Sequence, residues 1–283
     1  MKTLCVFTGG IGDTLLAGPA FAHLRDQGSL DLAGNPDRLA LIQAADACDG
    51  IHDLDHIEFH TLFEDPSPKL RTFIQKYDRI IVWMRDDGAI QQALKGCGTH
   101  DVKVVPGIPP ESWRSHATDY YLSGIDAALA KPRPPLRITK WEGEALAEPN
   151  YDIIIHPGSG SPTKNWPIEN FVSVANAFEN AGRQVAWIRG PAEEQLNYPA
   201  NAEFVEAVDL ISLSRCLAHA NCFVGNDSGT THLAAATGCQ IVAVFGPTDP
   251  AVWAPRGDHV QVVAKHPWPT VEIALETLNI ETG

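Results

Sequence analysis

Three short stretches of this sequence gather residues able to work on a charged, oxygen-rich ligand. The first is Gly9-Gly10-Ile11-Gly12-Asp13-Thr14, directly after an apolar run. Glycine turns that follow the first strand of an α/β unit often bind phosphate, because the backbone N–H groups can approach the anion closely. Two familiar versions are absent. Leu15 stands where a dinucleotide fingerprint needs its third glycine, and no Gly-Lys-Ser/Thr completes a Walker A loop. What remains is a tight turn with Asp13 at the start of a helix. That carboxylate suits either a helix cap or a general base at the carboxyl end of a sheet.

The second stretch is His156-Pro-Gly-Ser159-Gly160-Ser-Pro-Thr-Lys164-Asn-Trp-Pro167. Serine, threonine and glycine supply hydroxyl and backbone donors at low steric cost, and Lys164 adds a point positive charge. The set fits a diphosphate. The third is Asn226-Asp227-Ser228-Gly229-Thr230-Thr231-His232, where an apolar strand gives way to a helix. A helix N-terminus favours an anion. Asp227 therefore either caps the helix or turns toward the hydroxyls of a sugar or ribose. His232 is either a satisfied structural histidine or a donor to phosphate. A further loop, Phe245-Gly-Pro-Thr-Asp-Pro-Ala-Val-Trp253, reads as a rigid buttress.

These stretches need strands and helices to hold them. In the first half, Leu4–Phe7, Ser29–Ala33 and Arg79–Met84 read as strands, and 14–27, 37–47 and 118–129 as helices. Lys131-Pro-Arg-Pro-Pro135 cannot be helical and reads as an extended linker, with 136–150 irregular. The pattern then restarts, with strands at 151–156, 184–188, 222–225 and 240–245. Helices are expected at 168–181, 210–220 and 231–237. Strands alternating with helices predict an α/β protein with parallel sheets. Two Rossmann-like domains are expected, 1–135 and 136–283, with a ligand held in a cleft between them.

Composition narrows the partners. The 283 residues carry a net charge of −14, which argues against nucleic acid. Residues 1–140 hold 15 Lys and Arg against 18 Asp and Glu, and residues 141–283 hold 6 against 17. Such a skew is ordinary surface chemistry, or it marks a first half that meets something anionic. The six cysteines are scattered without C-x-x-C spacing, so neither zinc nor a disulfide framework is expected. No apolar run reaches the length of a membrane helix, and MKTLCVFTGG reads as a strand entering a turn, not as a signal peptide. A cytoplasmic protein is expected.

In this order and spacing the motifs resemble glycosyltransferase family 9, the ADP-heptose:lipopolysaccharide heptosyltransferases. Gly9-Gly-Ile-Gly-Asp13…Pro19 is similar to that family's N-terminal G-x-x-G-D…P, and His156-Pro-Gly…Lys164-Asn-Trp-Pro167 to its H-P-G…K-x-W-P. Asn226-Asp-Ser-Gly-Thr-Thr-His-Leu-Ala-Ala-Ala236 with Phe245-Gly-Pro-Thr-Asp-Pro250 resembles its most specific signature. Ser115-His-Ala-Thr-Asp-Tyr-Tyr-Leu122 is similar to the helix ending its first domain.

The resemblance implies a GT-B fold: two facing Rossmann-like domains, with the acceptor on the first and the nucleotide-sugar on the second. It implies inverting transfer without an essential metal or bound cofactor, the nucleotide-sugar, ADP-linked, being a substrate. Asp13 would be the catalytic base. The donor site would comprise Gly12, Ser159, Gly160, Lys164, Glu194, Asp227, Ser228, Gly229, Thr230 and His232. Glu194 would hold the ribose, although adjacent Glu193 leaves that register open. The acceptor would be a lipopolysaccharide core or another anionic surface glycan or glycolipid, with peripheral contact at the cytoplasmic face of the inner membrane. Two other readings remain at this point, a sugar-nucleotide epimerase of the same fold and a non-catalytic nucleotide-sugar binding protein.

Overall fold

Among the described residues, ten runs of mostly β-branched and aliphatic residues form strands, and they sort into two separate parallel sheets of five. The computed structural model describes residues 1–126, 134–139, 151–190 and 193–279. Two compact units divide the chain, Met1–Lys140 and Trp141–Gly283. Of the expected proline-rich linker and irregular segment, 131–133 and 140–150 lie outside the described residues. The first unit extends past the prolines because Leu136 packs on Gly18, and Leu136 and Ile138 are both buried.

In the first unit the strands are β1 (Lys2–Phe7), β2 (Ser29–Gly34), β3 (Gly50–Asp53), β4 (Arg79–Trp83) and β5 (Asp101–Val105), in the order β3-β2-β1-β4-β5. The helices are α1 (Ile11–Gln27), α2 (Pro36–Ala44), α3 (Pro68–Ile74), α4 (Ala89–Gly96) and α5 (Ala117–Gly124). The strand order reverses between β1 and β4. In open parallel sheets, ligands bind beyond the carboxyl ends of the strands at such a reversal. The turn leading into α1, whose first turn holds Asp13, leaves β1 at that point.

The second unit contains β6 (Ile153–His156), β7 (Val185–Trp187), β8 (Cys222–Asn226), β9 (Gln240–Phe245) and β10 (Val260–Ala264), ordered β10-β9-β8-β6-β7. Its helices are α6 (Ile168–Asn180), α7 (Leu210–His219), α8 (Gly229–Thr237), α9 (Pro250–Trp253) and α10 (Val271–Thr277). Here the order reverses between β6 and β8. The loop after β6 carries Lys164 and the turn after β8 carries Asp227, so the two candidate stretches leave adjacent strands (His156 pairs with Gly225) at one reversal point.

Each sheet builds its own core. Leu4, Val6, Ile80 and Val82 pack with Leu70, Ile74 and Leu94 in the first unit. Ile153, Ile155, Val224 and Val244 pack with Phe171, Val174 and Trp166 in the second. Behind the Asp13 turn, Phe7, Phe21, Trp83 and Tyr121 meet edge to face with centroids 5.5–6.4 Å apart. Such pairs add about 1 kcal/mol each beyond their burial. The six cysteines are all unpaired by disulfide, and five are buried. Burial lifts the thiols of Cys48, Cys222 and Cys239 to about 12.

Helix ends differ from expectation for local reasons. Helix α1 begins at Ile11, three residues early, because the Asp13 carboxylate reaches back to the Gly10 N–H at 3.1 Å and closes the first turn. Helix α5 ends at Gly124, and Asp126 follows with φ 58°, so the chain leaves the helical path there. The rest of the expected helix, 127–129, lies outside the described residues.

One polar network crosses the first sheet. Asp31 on β2, 7% exposed, accepts the Tyr77 hydroxyl at 2.8 Å, pairs with Lys2 at 3.1 Å and lies 3.4 Å from the His52 imidazole. Burial raises the Asp31 pKa, but the Tyr77, Lys2 and His52 partners outweigh it and hold the carboxyl below its ordinary 3.8. A carboxyl depressed in the folded state adds stability that is present above its unfolded pKa and is lost as pH falls through the folded value. Asp31→Asn is therefore expected to cost about 2 kcal/mol at neutral pH. It should also flatten the loss of stability below pH 3.8. Denaturant melts of both proteins across acid pH check this, and identical acid slopes would remove Asp31 from the ledger.

Candidate functional site

The site in the second unit is organised by a buried amide. Asn226, the last residue of β8, is fully buried. Its side-chain nitrogen donates to the Pro157 carbonyl at 2.7 Å, and its oxygen accepts the Trp166 N–H at 2.9 Å. One side chain thus clamps both ends of the 157–166 loop onto the neighbouring strand. Trp166 holds the far end by donating its indole N–H to the Pro269 carbonyl at 3.0 Å and packing edge-on against Phe171. Inside the loop the Ser159 hydroxyl lies 2.6 Å from Asn165 Oδ1 and 2.7 Å from the Ser161 carbonyl, and it accepts the Ser161 N–H. Gly160 faces open space.

This clamp delivers Lys164 to Asp227. The ammonium sits 2.8 Å from Asp227 Oδ2, with the carboxylate 9% and the lysine 34% exposed. Asp227 does not cap helix α8; Ser228 does, accepting the Thr231 N–H at 3.3 Å. Thr231 donates its hydroxyl to the Asn226 carbonyl, so the turn is tied from both sides. With Ser228 and Thr231 engaged in the cap, the first-turn amides of Gly229 and Thr230 lie at the positive end of the helix dipole. His232 is buried in the first turn, and its own N–H bonds the Ser228 carbonyl.

The carboxylate that meets the loop is that of Glu193. It accepts the Gly190 N–H at 2.7 Å and is 7% exposed, with its side chain directly against Gly158. Glu194, the residue favoured from the sequence, is exposed. Neighbouring residues on a turn point in different directions, and nothing in their identity separates them. His156, ending β6, is buried, and burial alone drops its imidazole to about 4. It is neutral at physiological pH.

In the first unit, Asp13 lies at the third position of α1. Oδ2 accepts the Gly10 N–H, and Oδ1 lies 3.4 Å from the Tyr121 hydroxyl, which also donates to the Gly107 carbonyl at 3.2 Å. Gly12 sits in the same first turn. Gly9 is required by crowding: a Cβ there would fall 2.5 Å from the Phe7 ring and 2.8 Å from the Asp13 Cβ. Arg38 donates to the Gly9 carbonyl at 2.9 Å and fixes the turn. Burial, with Asp13 adding to it, raises the Tyr121 pKa, so the phenol keeps its proton. Asp13 thus closes its helix with one oxygen, as the cap reading expected, and places the other beside a phenol. Asn226 and Tyr121 contact these residues without having been selected from the sequence, and Glu193, the alternative to Glu194, is the one turned to the loop. A polar residue ending an otherwise apolar strand was the signal for Asn226.

Among the described residues, no group of three His, Cys, Asp or Glu is placed to hold a metal ion, and no helix is long and apolar enough to cross a membrane.

Comparison with known proteins gives the family and the fold. Residues 112–279, more than half of the chain, match the model for glycosyltransferase family 9 (heptosyltransferase). Lipopolysaccharide heptosyltransferase 3 of Escherichia coli (strain K12) is 26% identical over 153 residues, 50% of this chain and 44% of that protein. Lipooligosaccharide heptosyltransferase 2 of Haemophilus influenzae is 31% identical over 121 residues, 36% of this chain and 33% of that protein. The chain thus spans about half the length, or less, of the curated relatives it matches. Among solved structures, E. coli ADP-heptose lipopolysaccharide heptosyltransferase II superposes with a TM-score of 0.78 at 19% identity, covering 99% of this chain and 98% of that one. An E. coli heptosyltransferase solved with ADP gives 0.71 at 17%, covering 99% of each chain. At such identities the likeness shows the fold, which is GT-B.

Gly158 offers a direct check on the loop. A Cβ there would overlap the Glu193 side chain. Gly158→Ala should therefore cost about 1–3 kcal/mol. Glu193→Ala in the same protein should recover most of that loss. Thermal melts of the single and double variants decide it; an additive double variant would show that the two do not touch.

Proposed function

The chain belongs to glycosyltransferase family 9, and on that footing we propose that it transfers heptose from ADP-heptose to a lipopolysaccharide-core or related surface-glycan acceptor, inverting the anomeric carbon. The observation that carries this reading is the convergence at the β6/β8 reversal. There Lys164 on the clamped loop meets Asp227 and the α8 N-terminus on the adjacent turn, and the Glu193 carboxylate, from the segment after β7, lies against the same loop at Gly158. The heptosyltransferase relatives favour transfer over the epimerase and binding-protein alternatives.

The chemistry follows from the parts. The acceptor hydroxyl oxygen attacks the anomeric carbon from the face opposite the diphosphate. The bond from that carbon to the phosphate oxygen breaks, and ADP departs with the electron pair. Asp13 takes the hydroxyl proton. The Lys164 ammonium and the amides of Gly229 and Thr230 stabilise the charge growing on the leaving diphosphate, which in a water-poor site is a large contribution. Ser159, Gly160, Ser228 and His232 line the donor loop. Glu193 binds the ribose hydroxyls in the role the sequence assigned to Glu194, because its carboxylate is the one turned to the loop. Asp227 receives sugar hydroxyls. The first unit, richer in basic residues, takes an anionic glycolipid acceptor, and the protein works at the cytoplasmic face of the inner membrane.

Asp13→Asn should lower transfer by about 100-fold or more while leaving ADP affinity within about threefold. Unchanged turnover would remove Asp13 as the base. In thermal shift, ADP at 100 times its dissociation constant should stabilise the fold by about 2.7 kcal/mol. UDP and GDP at the same concentration should do less, and an equal response to all three would set aside the ADP-linked donor.

A further inference from the structure

We propose that the Lys164–Asp227 ion pair is an exchangeable latch that makes the site favour nucleotide-sugar over free nucleoside diphosphate, and so helps to release the product. The inference rests on reading this loop as the donor site, and it concerns what the pair does there.

The two partners are held unequally. Asp227 directly follows the last residue of β8, its carboxylate is almost buried, and its own N–H bonds the Val244 carbonyl at 3.1 Å. Lys164 ends a short turn, carries a flexible four-carbon stem and is about one-third exposed. Asp227 is therefore the fixed member and Lys164 the movable one. With no ligand, the pair neutralises itself at 2.8 Å. A diphosphate that recruits Lys164 takes that partner away and leaves a nearly buried carboxylate beside new negative charge. A buried charge stripped of its partner is costly.

What restores the balance depends on the ligand. A nucleotide-sugar brings neutral hydroxyls, which donate to the carboxylate and replace the bond Lys164 gave up. Free nucleoside diphosphate lacks that transferred sugar, its ribose hydroxyls being held at Glu193, and its terminal phosphate carries an additional charge. The carboxylate therefore penalises the product and spares the substrate. Once the sugar has left, Lys164 returns to Asp227 and the diphosphate loses its cation. A site built this way gives its favourable contacts to the sugar-bearing state and not to the product.

Asn is the discriminating substitution, since it keeps an oxygen for sugar hydroxyls and removes the charge. Dissociation constants are measured calorimetrically for ADP, inorganic pyrophosphate and ADP-heptose with wild type, Asp227→Asn, Lys164→Gln and the double variant. Near-ultraviolet circular dichroism confirms the fold of each. Asp227→Asn should bind ADP and pyrophosphate about tenfold more tightly, with ADP-heptose changed by less than about threefold. Lys164→Gln should weaken pyrophosphate binding, and the gain from Asp227→Asn should shrink in its presence. Equal or weaker pyrophosphate binding by folded Asp227→Asn overturns the latch. So does a Lys164→Gln protein that binds pyrophosphate as wild type does, a test that stands even if the Asp227 variant fails to fold. Should pyrophosphate bind and show the gain while ADP and ADP-heptose do not bind, the exchange of Lys164 between Asp227 and a diphosphate stands, but the preference for nucleotide-sugar and the nucleotide reading both fall. Binding of none of the three overturns both.

Discussion

Everything proposed for the second unit depends on one buried amide. The Asn226 side chain satisfies the Pro157 carbonyl and the Trp166 amide at once, at opposite ends of a ten-residue loop. Neither backbone group has a strand partner at that point, and a buried unpaired group costs about 1–3 kcal/mol. The same residue's carbonyl takes the Thr231 hydroxyl, which links the loop to the start of α8. Lys164, the helix terminus and Asp227 therefore share a single support. An aspartate in that place would lose its donor to Pro157, and a leucine would satisfy neither end. Binding geometry in this unit is thus decided by a residue expected to touch no substrate.

Much of the fold was legible because buried parallel strands are continuous apolar runs. Leu4–Phe7, Arg79–Trp83, Ile153–His156 and Gln240–Phe245 were all recognisable in this way. The strands not recognised were β3, β5 and β10, and all three lie at sheet edges. Gly50-Ile-His-Asp53 is half-exposed throughout, and Val260–Ala264 buries only one residue well. An edge strand has one neighbour and one open side, so its sequence carries a weaker pattern. Helices α3 and α4, of seven and eight residues, are too short to show a periodic stripe.

The candidate site was legible in residue type and not in pairing. Aspartate, lysine, serine and glycine at strand ends announce an anion site whatever their partners. That Lys164 meets Asp227 follows from β6 and β8 lying side by side, which is a fact of sheet order. The Asp31, Tyr77, His52 and Lys2 network is of the same kind. It draws on β1, β2, β3 and Tyr77 just before β4, with Lys2 and Tyr77 75 positions apart. Glu193 against Glu194 was beyond sequence reasoning for another reason, since adjacent identical residues differ only in the direction the backbone gives them.

The buried thiols also bear on how the molecule can be handled. Alkylation and disulfide exchange proceed through the thiolate. Cys48, Cys222 and Cys239, lifted to about 12 by burial, hold only about one part in ten thousand of it at pH 8. Cys5 and Cys97 are raised in the same direction. These five thiols are accordingly expected to react slowly while the protein is folded. A single cysteine placed on the surface would then be labelled against a nearly silent background, which makes the native sequence a ready host for a fluorophore or spin probe.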